Sequence, residues 1–171
     1  MAVQHLVEQG HTRIGMLAPH EWSEDAAPRA DGYRRALLNA GLPFDPLLIQ
    51  EGITIKHAGH SEEAGYEAIQ ALIKNAPDVT AIFAASDVLA IGALAALREM
   101  GKQVPEDMAV MGYDDLKISR FLGLSSINQK MFQVGLEAAT QVIRRINDPK
   151  LPSIQRKIEP ELQIRMTTRR K

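Results

Sequence analysis

The sequence DVTAIFAASDVLAIGAL, residues 78–94, decides the fold of this chain. Its apolar run, residues 81–85, lacks polar alternation, which is typical of a strand covered on both faces in a parallel sheet. Ser86 and Asp87 end this strand and can cap a helix that we predict to continue to about Met100 and to stop at Gly101. In open α/β sheets, ligands bind outside the carboxyl ends of strands. The stretch therefore predicts a parallel sheet with a small-molecule site near Ser86 and Asp87.

Strand and helix patterns alternate on both sides of this stretch. Strands are predicted at residues 13–18, 47–52, 108–112 and 125–129, and helices at residues 1–9, 27–40, 61–75 and 131–147. Residues 158–167 are predicted to be mostly extended. The alternation favours the α/β class: a three-layer, doubly wound, mostly parallel sheet with right-handed crossovers.

The composition is that of an ordinary globular protein. Of 171 residues, 45% are apolar and 24% are charged, and the net charge of -1 gives no electrostatic argument for direct nucleic-acid binding. The absence of cysteine excludes disulfides and thiol chemistry and fits the cytoplasm. No apolar run could span a membrane. The chain opens inside a helix pattern, without a signal peptide, so we expect further sequence before Met1.

The chain ends with a basic cluster, which we interpret as a solvated terminus. It consists of Arg165, Arg169, Arg170 and Lys171.

Polar side chains from several predicted elements meet at the carboxyl edge of the sheet. Arg29 lies on the inward face of its helix beside the end of the first strand. Ser86 and Asp87 follow one buried strand, and Asp114 and Asp115 follow the next. Arginine donors and carboxylate acceptors together suit a polyhydroxyl ligand. The alternative is that Ser86 or Asp87 only caps a helix and that the later pair only ends a strand.

Catalytic and metal-binding interpretations have less support. The acidic pairs could hold Mg²⁺ as in phosphoryl-transfer enzymes, but no lysine or nucleophile motif accompanies them. His57 and His60 share a polar loop without an HExxH pattern, which is more typical of solvated side chains. The GxSxG elbow and both glycine-rich phosphate loops are absent. We predict that the chain is not an enzyme and needs no cofactor.

Two apolar features remain open in their meaning. The helix at residues 88–100 is apolar almost all round, so one side faces the sheet and the other faces another helix or a partner subunit, of which we favour the partner. Trp22 lies in a loop at the same rim as the polar residues, where it stacks on a ligand or rests on the surface.

Short motifs in a fixed order run the length of the chain. They are AVQHL at 2–6 with GHTRI at 10–14, RADGY at 29–33 with AGL at 40–42, AGY at 64–66, AIFAASD at 81–87 with AIGA at 90–93, VPED at 104–107, MGYDD at 111–115, Gln129 with Gly135, and RMTT at 165–168. In this order and spacing they are highly specific. The chain resembles the lactose-repressor/galactose-repressor (LacI/GalR) family of bacterial transcription regulators.

The resemblance implies a domain organisation. The effector-binding domain of this family has a fold similar to type I periplasmic sugar-binding proteins, with a ligand cleft between two α/β lobes. Residues 1–130 would form the C-terminal lobe, residues 131–150 a helix returning toward the missing N-terminal lobe, and residues 151–171 an extended segment rejoining the C-terminal lobe. The helix-turn-helix that binds operator DNA is not in this sequence.

The resemblance also implies partners and a mechanism. We expect a cytoplasmic homodimer with a small-molecule effector, a sugar or sugar derivative, that contacts operator DNA only through the missing N-terminal domain and does not contact membranes. An effector bridging both lobes would favour one lobe arrangement and so move the DNA-binding domains.

Site residues are carried over by position. Arg29 matches the effector-contacting arginine of the family, and Asp114 matches the aspartate that accepts hydrogen bonds from the ligand. Asp25 lies at a loop position that often makes a polar contact. Ser86 replaces a common asparagine, and Met131 stands where some members have an aromatic ring. The aromatic residue usual after the second strand is missing, and the helix after Ser86 matches one used in family dimers.

Two other functional classes remain as alternatives. A transport-type periplasmic sugar-binding protein would share the fold but carry a signal peptide upstream. A sugar-processing enzyme would show turnover and a nucleophile or metal in the cleft. A helix-turn-helix encoded before Met1 would decide for the regulator.

Overall fold

Six strands form one sheet within residues 1–169, the part of the chain that the computed structural model describes. Arg170 and Lys171 of the basic terminal cluster lie outside these described residues. The strands are β1 (Ile14–Ala18), β2 (Ile49–Glu51), β3 (Ala81–Ala84), β4 (Ala109–Tyr113), β5 (Ser125–Asn128) and β6 (Glu161–Gln163). Their order is β2-β1-β3-β4-β5-β6; the first five are parallel, and β6 runs antiparallel to β5. The prediction of a mostly parallel α/β sheet is confirmed.

Six α-helices accompany these strands in the described residues. They are α1 (Ala2–Glu8), α2 (Ala26–Asn39), α3 (Glu62–Asn75), α4 (Asp87–Glu99), α5 (Lys117–Phe121) and α6 (Met131–Asn147). Short 3₁₀ turns occur at Pro46–Leu48, Lys56–Gly59 and Met166–Thr168. The sequence patterns miss α5, because five residues are too few to show a helical period. None of the helices in residues 1–169 has the length and hydropathy needed to cross a membrane.

Helices cover both faces of the sheet. In β1, a Cβ atom added to Gly15 would collide with Leu72 of α3, so this face packs on α3 and its neighbour α4. Phe83 and Tyr113 point to the other face, where they line a cavity together with residues of α1 and α2. The central strands are buried on both sides, which explains their uninterrupted apolar runs.

The helices α3 and α4 approach each other at two glycines. A Cβ on Gly65 would collide with the carbonyl of Leu89, and a Cβ on Gly92 would collide with the carbonyl of Glu62. The second apolar side of α4 therefore faces another helix. A further stripe on α4 is only half-buried; it contains Val88, Ile91 and Leu94.

The helix α6 has the predicted bounds and the predicted apolar side, but none of its residues is buried. Its large apolar side chains range from Val134, 40% exposed, to Phe132, 86% exposed. Within residues 1–169 this apolar side is largely uncovered.

Candidate functional site

A cavity of about 610 Å³ lies beside the carboxyl ends of β3 and β4. Its polar lining includes Asp25, Arg29 and Gln129, and its aromatic lining consists of Tyr33, Phe83 and Tyr113. Met1, Val3 and Pro160 close it on the side of α1 and the C-terminal segment. A cavity of this size, with apolar walls and a few convergent polar groups, suits a small-molecule ligand.

Arg29 is held at the end of β3 by three contacts. Its Nη2 lies 2.7 Å from Oδ2 of Asp25, one helical turn earlier, and its Nη1 donates to the carbonyl oxygen of Ala85. The guanidinium carbon lies 4.4 Å from the centre of the Tyr113 ring, which is a cation–π distance. A guanidinium has five N–H donors, so Arg29 can keep these contacts and still donate to a ligand.

Asp25 precedes α2 and is bound through both carboxylate oxygens. Oδ2 pairs with Arg29, whereas Oδ1 accepts from the hydroxyl of Ser23 and lies 3.2 Å from Nε2 of His60. Burial raises the pKa of Asp25, but the hydrogen bonds from Ser23 and His60 and the charge of Arg29 outweigh burial and hold that pKa below its usual value. Asp25 is therefore anionic and structurally constrained.

Asp114 adopts a left-handed backbone conformation with φ of 112° directly after β4. Its Oδ1 accepts from Nε2 of Gln129 at 2.5 Å. Burial raises the pKa of Asp114 above its usual value, against the lowering effect of Gln129 and Arg29. Gln129 lines the cavity itself, so the carboxyl group of Asp114 is linked to the cavity wall through this amide.

The other two predicted ligand contacts, Ser86 and Met131, are not among the residues that line this cavity. Ser86 is only 2% exposed, and its Oγ accepts from the backbone N–H of Leu89 at 3.3 Å, so its observed role is the cap of α4. Met131 is exposed at the start of α6 and lines a separate cavity of about 420 Å³ with Gln129. Ligand contacts by Ser86 and Met131 stay predictions.

Asp87 and Asp115 serve as anchors of the chain in this structure. Asp87 is fully buried and accepts from Oγ of Ser119 (2.5 Å), Oγ of Ser126 (2.6 Å) and the backbone N–H of Leu116 (2.8 Å). Burial raises the pKa of Asp87, although these hydrogen bonds oppose the effect. Asp115 pairs with Nη2 of Arg165 at 2.5 Å. Both carboxylates are occupied by protein groups, and the groups that bind Asp87 lie outside α4, so Asp87 does not cap this helix.

His60 has a role that the sequence patterns do not show. It comes from the long loop before α3 and contacts Ser23, 37 positions earlier, and Asp25, 35 positions earlier. The three residues do not form a catalytic triad, because Ser23 and Asp25 both contact Nε2, whereas a triad needs partners on opposite ring nitrogens. His57 is exposed, and no group of three or more His, Asp or Glu in residues 1–169 is arranged to hold a metal.

Comparison with known proteins gives consistent matches. The periplasmic binding protein-like domain matches residues 3–168. The HTH-type transcriptional regulator CelR of Thermobifida fusca is 36% identical over 166 residues, which cover 96% of this chain and 47% of CelR. The HTH-type transcriptional repressor PurR of Pasteurella multocida (strain Pm70) is 33% identical over 171 residues, which cover 99% of this chain and 49% of PurR. A solved transcriptional regulator CelR–cellobiose complex has a TM-score of 0.86 at 36% identity, covering 97% of this chain and 50% of that one.

The chain spans about half the length of the curated relatives that it matches. These relatives are transcriptional regulators rather than enzymes, and several similar solved structures are regulators of one family. The matches confirm the resemblance seen in the motifs and the fold expected from it. The chain belongs to the periplasmic binding protein-like domain family and, within it, to the LacI family of transcriptional regulators.

Proposed function

We propose that this chain is the effector-binding and dimerisation part of a LacI-family regulator and that it binds a neutral sugar or sugar derivative. The observation that carries this proposal is the position of Arg29, fixed in the wall of a cavity of about 610 Å³ near the carboxyl group of Asp114. A regulator of this kind acts in the cytoplasm, where its operator DNA is.

The charges in the cleft disfavour an anionic ligand, because the carboxylates of Glu24 and Asp25 line it together with Arg29. The positive charge of Arg29 is already balanced by Asp25 at 2.7 Å, so an anionic ligand would gain little attraction there. The remaining guanidinium donors and the acceptor oxygens of Asp114 can serve hydroxyl groups, and Phe83 and Tyr113 supply an apolar surface for a sugar ring. The similar CelR structure, a complex with cellobiose, supports this ligand class.

The second lobe and the DNA-binding domain belong to the proposal as well. The relatives are about twice as long as this chain and are HTH-type regulators. In our proposal residues 1–130 form one lobe, α6 within residues 131–150 packs its exposed apolar side on the other lobe, and residues 151–171 return to the first. An effector held between the lobes then selects one arrangement and thereby changes operator binding.

The dimer surface proposed here combines two elements. The half-buried stripe of α4 is one, and α5 is the other, with Ile118 at 48% and Phe121 at 76% exposure. Exposed apolar side chains mark an interaction surface where they form a contiguous patch, and we propose that these two elements form one. Replacing Ile91 with Asp should shift the mass measured by sedimentation from dimer to monomer, and an unchanged dimer would contradict this surface.

Calorimetric titration tests the effector site. Neutral mono- and disaccharides, including cellobiose, are titrated into the regulator that carries both lobes, in wild-type form and as Arg29→Ala and Asp114→Ala. Loss of a charge-assisted hydrogen bond costs about 1.5–3 kcal/mol, so each variant should bind roughly 10- to 150-fold more weakly. Unchanged affinity in both variants would overturn the site assignment.

A further inference from the structure

We propose that His60 is a positioning residue of the effector site: it fixes the carboxylate of Asp25, and through Asp25 the guanidinium of Arg29, so that effector affinity depends on His60. The proposal deepens the proposed function of this cleft and rests on it for the link to affinity. The link between His60, Asp25 and Arg29 is present without any ligand.

Asp25 bridges the two other residues. Its Oδ1 lies 3.2 Å from Nε2 of His60 and also accepts from Ser23, whose Oγ lies 3.3 Å from the same nitrogen. Its Oδ2 lies 2.7 Å from Nη2 of Arg29. With both oxygens committed, Asp25 has little freedom to rotate, and its carboxylate supplies one of the three contacts that hold Arg29.

The loop that carries His60 is seated against the segment before α2. The backbone N–H of His20 donates to the carbonyl of Ala58 at 2.9 Å, and a Cβ on Gly59 would collide with the backbone of His20. Two consecutive residues of this loop, His57 and Ala58, have φ of 52° and 55°. Non-glycine residues rarely adopt this conformation, so surrounding contacts must impose it. These contacts bring His60 to Asp25 rather than into solvent.

Charges on neighbouring elements face His60. They are the carboxylate of Asp25 with Arg29 behind it, both on the α2 side, and the carboxyl group of Asp114 at the end of β4. An N–H of the imidazole that donates to the anionic carboxylate of Asp25 makes a charge-assisted bond, which is roughly twice as strong as a neutral one. We therefore expect Asp25 and Arg29 to be held less firmly when His60 is replaced.

The first experiment needs no ligand and reads the positioning directly. Nuclear magnetic resonance follows the ring signals of His57 and His60 and the side-chain Nε–H signal of Arg29 in the present chain. Asp25→Asn should displace the ring signals of His60 and leave those of His57 in place, and His60→Phe should displace the Arg29 signal. If the Arg29 signal is identical in wild type and His60→Phe, the positioning role is refuted.

The second experiment measures affinity for cellobiose in the two-lobe regulator. His60→Phe should bind about tenfold more weakly than wild type, because the hydrogen bond that fixes Asp25 is lost. His60→Gln, whose amide can still donate to Asp25, should recover most of that loss. The matched control is His57→Gln, which removes an exposed histidine from the same loop and should behave like wild type.

Two outcomes would separate the hypotheses. Wild-type affinity in His60→Phe would overturn the role of His60 in affinity. If wild type does not bind cellobiose or the other neutral saccharides at all, the proposed effector class fails, while the resonance comparison still decides whether His60 positions Arg29. Circular dichroism melts confirm that both His60 variants are folded.

Discussion

Asp114 has a strained backbone conformation and also belongs to the proposed effector site. A non-glycine residue with φ of 112° costs about 1–3 kcal/mol, and such strain is typical of ligand-contacting positions. We predict that Asp114→Gly is more stable than Asp114→Ala by about 1 kcal/mol, because only glycine adopts this conformation freely. Urea denaturation of the two variants measures the difference, and both lose the bond to Gln129, so that loss cancels. Equal stabilities would show that the backbone there is not strained.

His5 makes stability depend on pH. It is buried, and its Nε2 lies 2.9 Å from Oγ1 of Thr168. Burial lowers the pKa of His5 below its usual 6.5, although the charge of Glu8 opposes this. The unfolded chain therefore binds a proton more readily than the folded one. The contribution of His5 is complete above about pH 6.5 and is lost as the pH falls below it.

We predict that His5→Gln flattens this dependence. Unfolding free energies of wild type should decrease as the pH is lowered from 7 to 5, by at most about 1.4 kcal/mol per pH unit for this one proton. The decrease should be smaller in His5→Gln, whose amide still reaches Thr168, and unchanged in His57→Gln. Denaturant titrations at several pH values provide the measurement, and the same slope in wild type and His5→Gln would contradict the prediction.

Local sequence patterns are sufficient to place two of the site residues but not the contact between Asp25 and His60. Arg29 precedes Tyr33 by one helical turn, and Tyr33 is buried, so the helical period of α2 is sufficient to place the arginine toward the sheet. Ser86 is recognised as a cap from its residue type and position. The contact between Asp25 and His60 joins residues 35 positions apart through an irregular loop. No local pattern encodes such a contact, so it could not be predicted.

Among the elements, α4 illustrates why helix contacts are harder to predict than helices. Its apolar circumference shows that it is covered on more than one side, but only the structure shows that α3 supplies the second side, through glycines that allow close approach. Strands β1, β3 and β4 are predictable because they are buried on both faces and need continuous apolar runs. By contrast, α5 is too short to carry a period.

Two glycine substitutions distinguish the effect of helix packing on stability from the effect of helix propensity. At Gly92 a Cβ would collide with the backbone carbonyl of Glu62, so Gly92→Ala should separate α3 from α4 and lower the unfolding free energy by about 1–3 kcal/mol. At Gly135 in α6 a Cβ would meet nothing within 4 Å, so Gly135→Ala should raise helix stability by up to about 1 kcal/mol. Denaturant unfolding measures the effect of Gly92→Ala, and the helical circular dichroism signal measures the effect of Gly135→Ala. Changes of the same sign would mean that packing at Gly92 is not limiting.

Within residues 1–169 all six strands lie in one sheet, whereas α6 has no buried residue. Every predicted strand finds a neighbour in the sheet, and the core extends from α1 to β5. The amphipathic pattern of α6 predicts a buried side, yet in residues 1–169 that side is exposed. An amphipathic pattern predicts that one side of a helix packs against another element, but it does not identify that element. The family relationship, rather than periodicity, supplies the second lobe as its partner in our proposal.

This proposal predicts that the protection of α6 depends on the second lobe. Helices without buried apolar contacts open readily, because little burial opposes local unfolding. In the 171-residue chain the backbone amides of residues 131–147 should exchange with deuterium nearly as fast as an unstructured peptide, whereas those of α3 should be strongly protected. In the regulator that carries both lobes, α6 should become protected by at least about tenfold, while α3 stays as it is. Exchange measured by mass spectrometry on both proteins gives the comparison. Equal protection of α6 in the two proteins would show that the second lobe does not cover this helix, and the proposed division at residues 130 and 150 would then have to be abandoned.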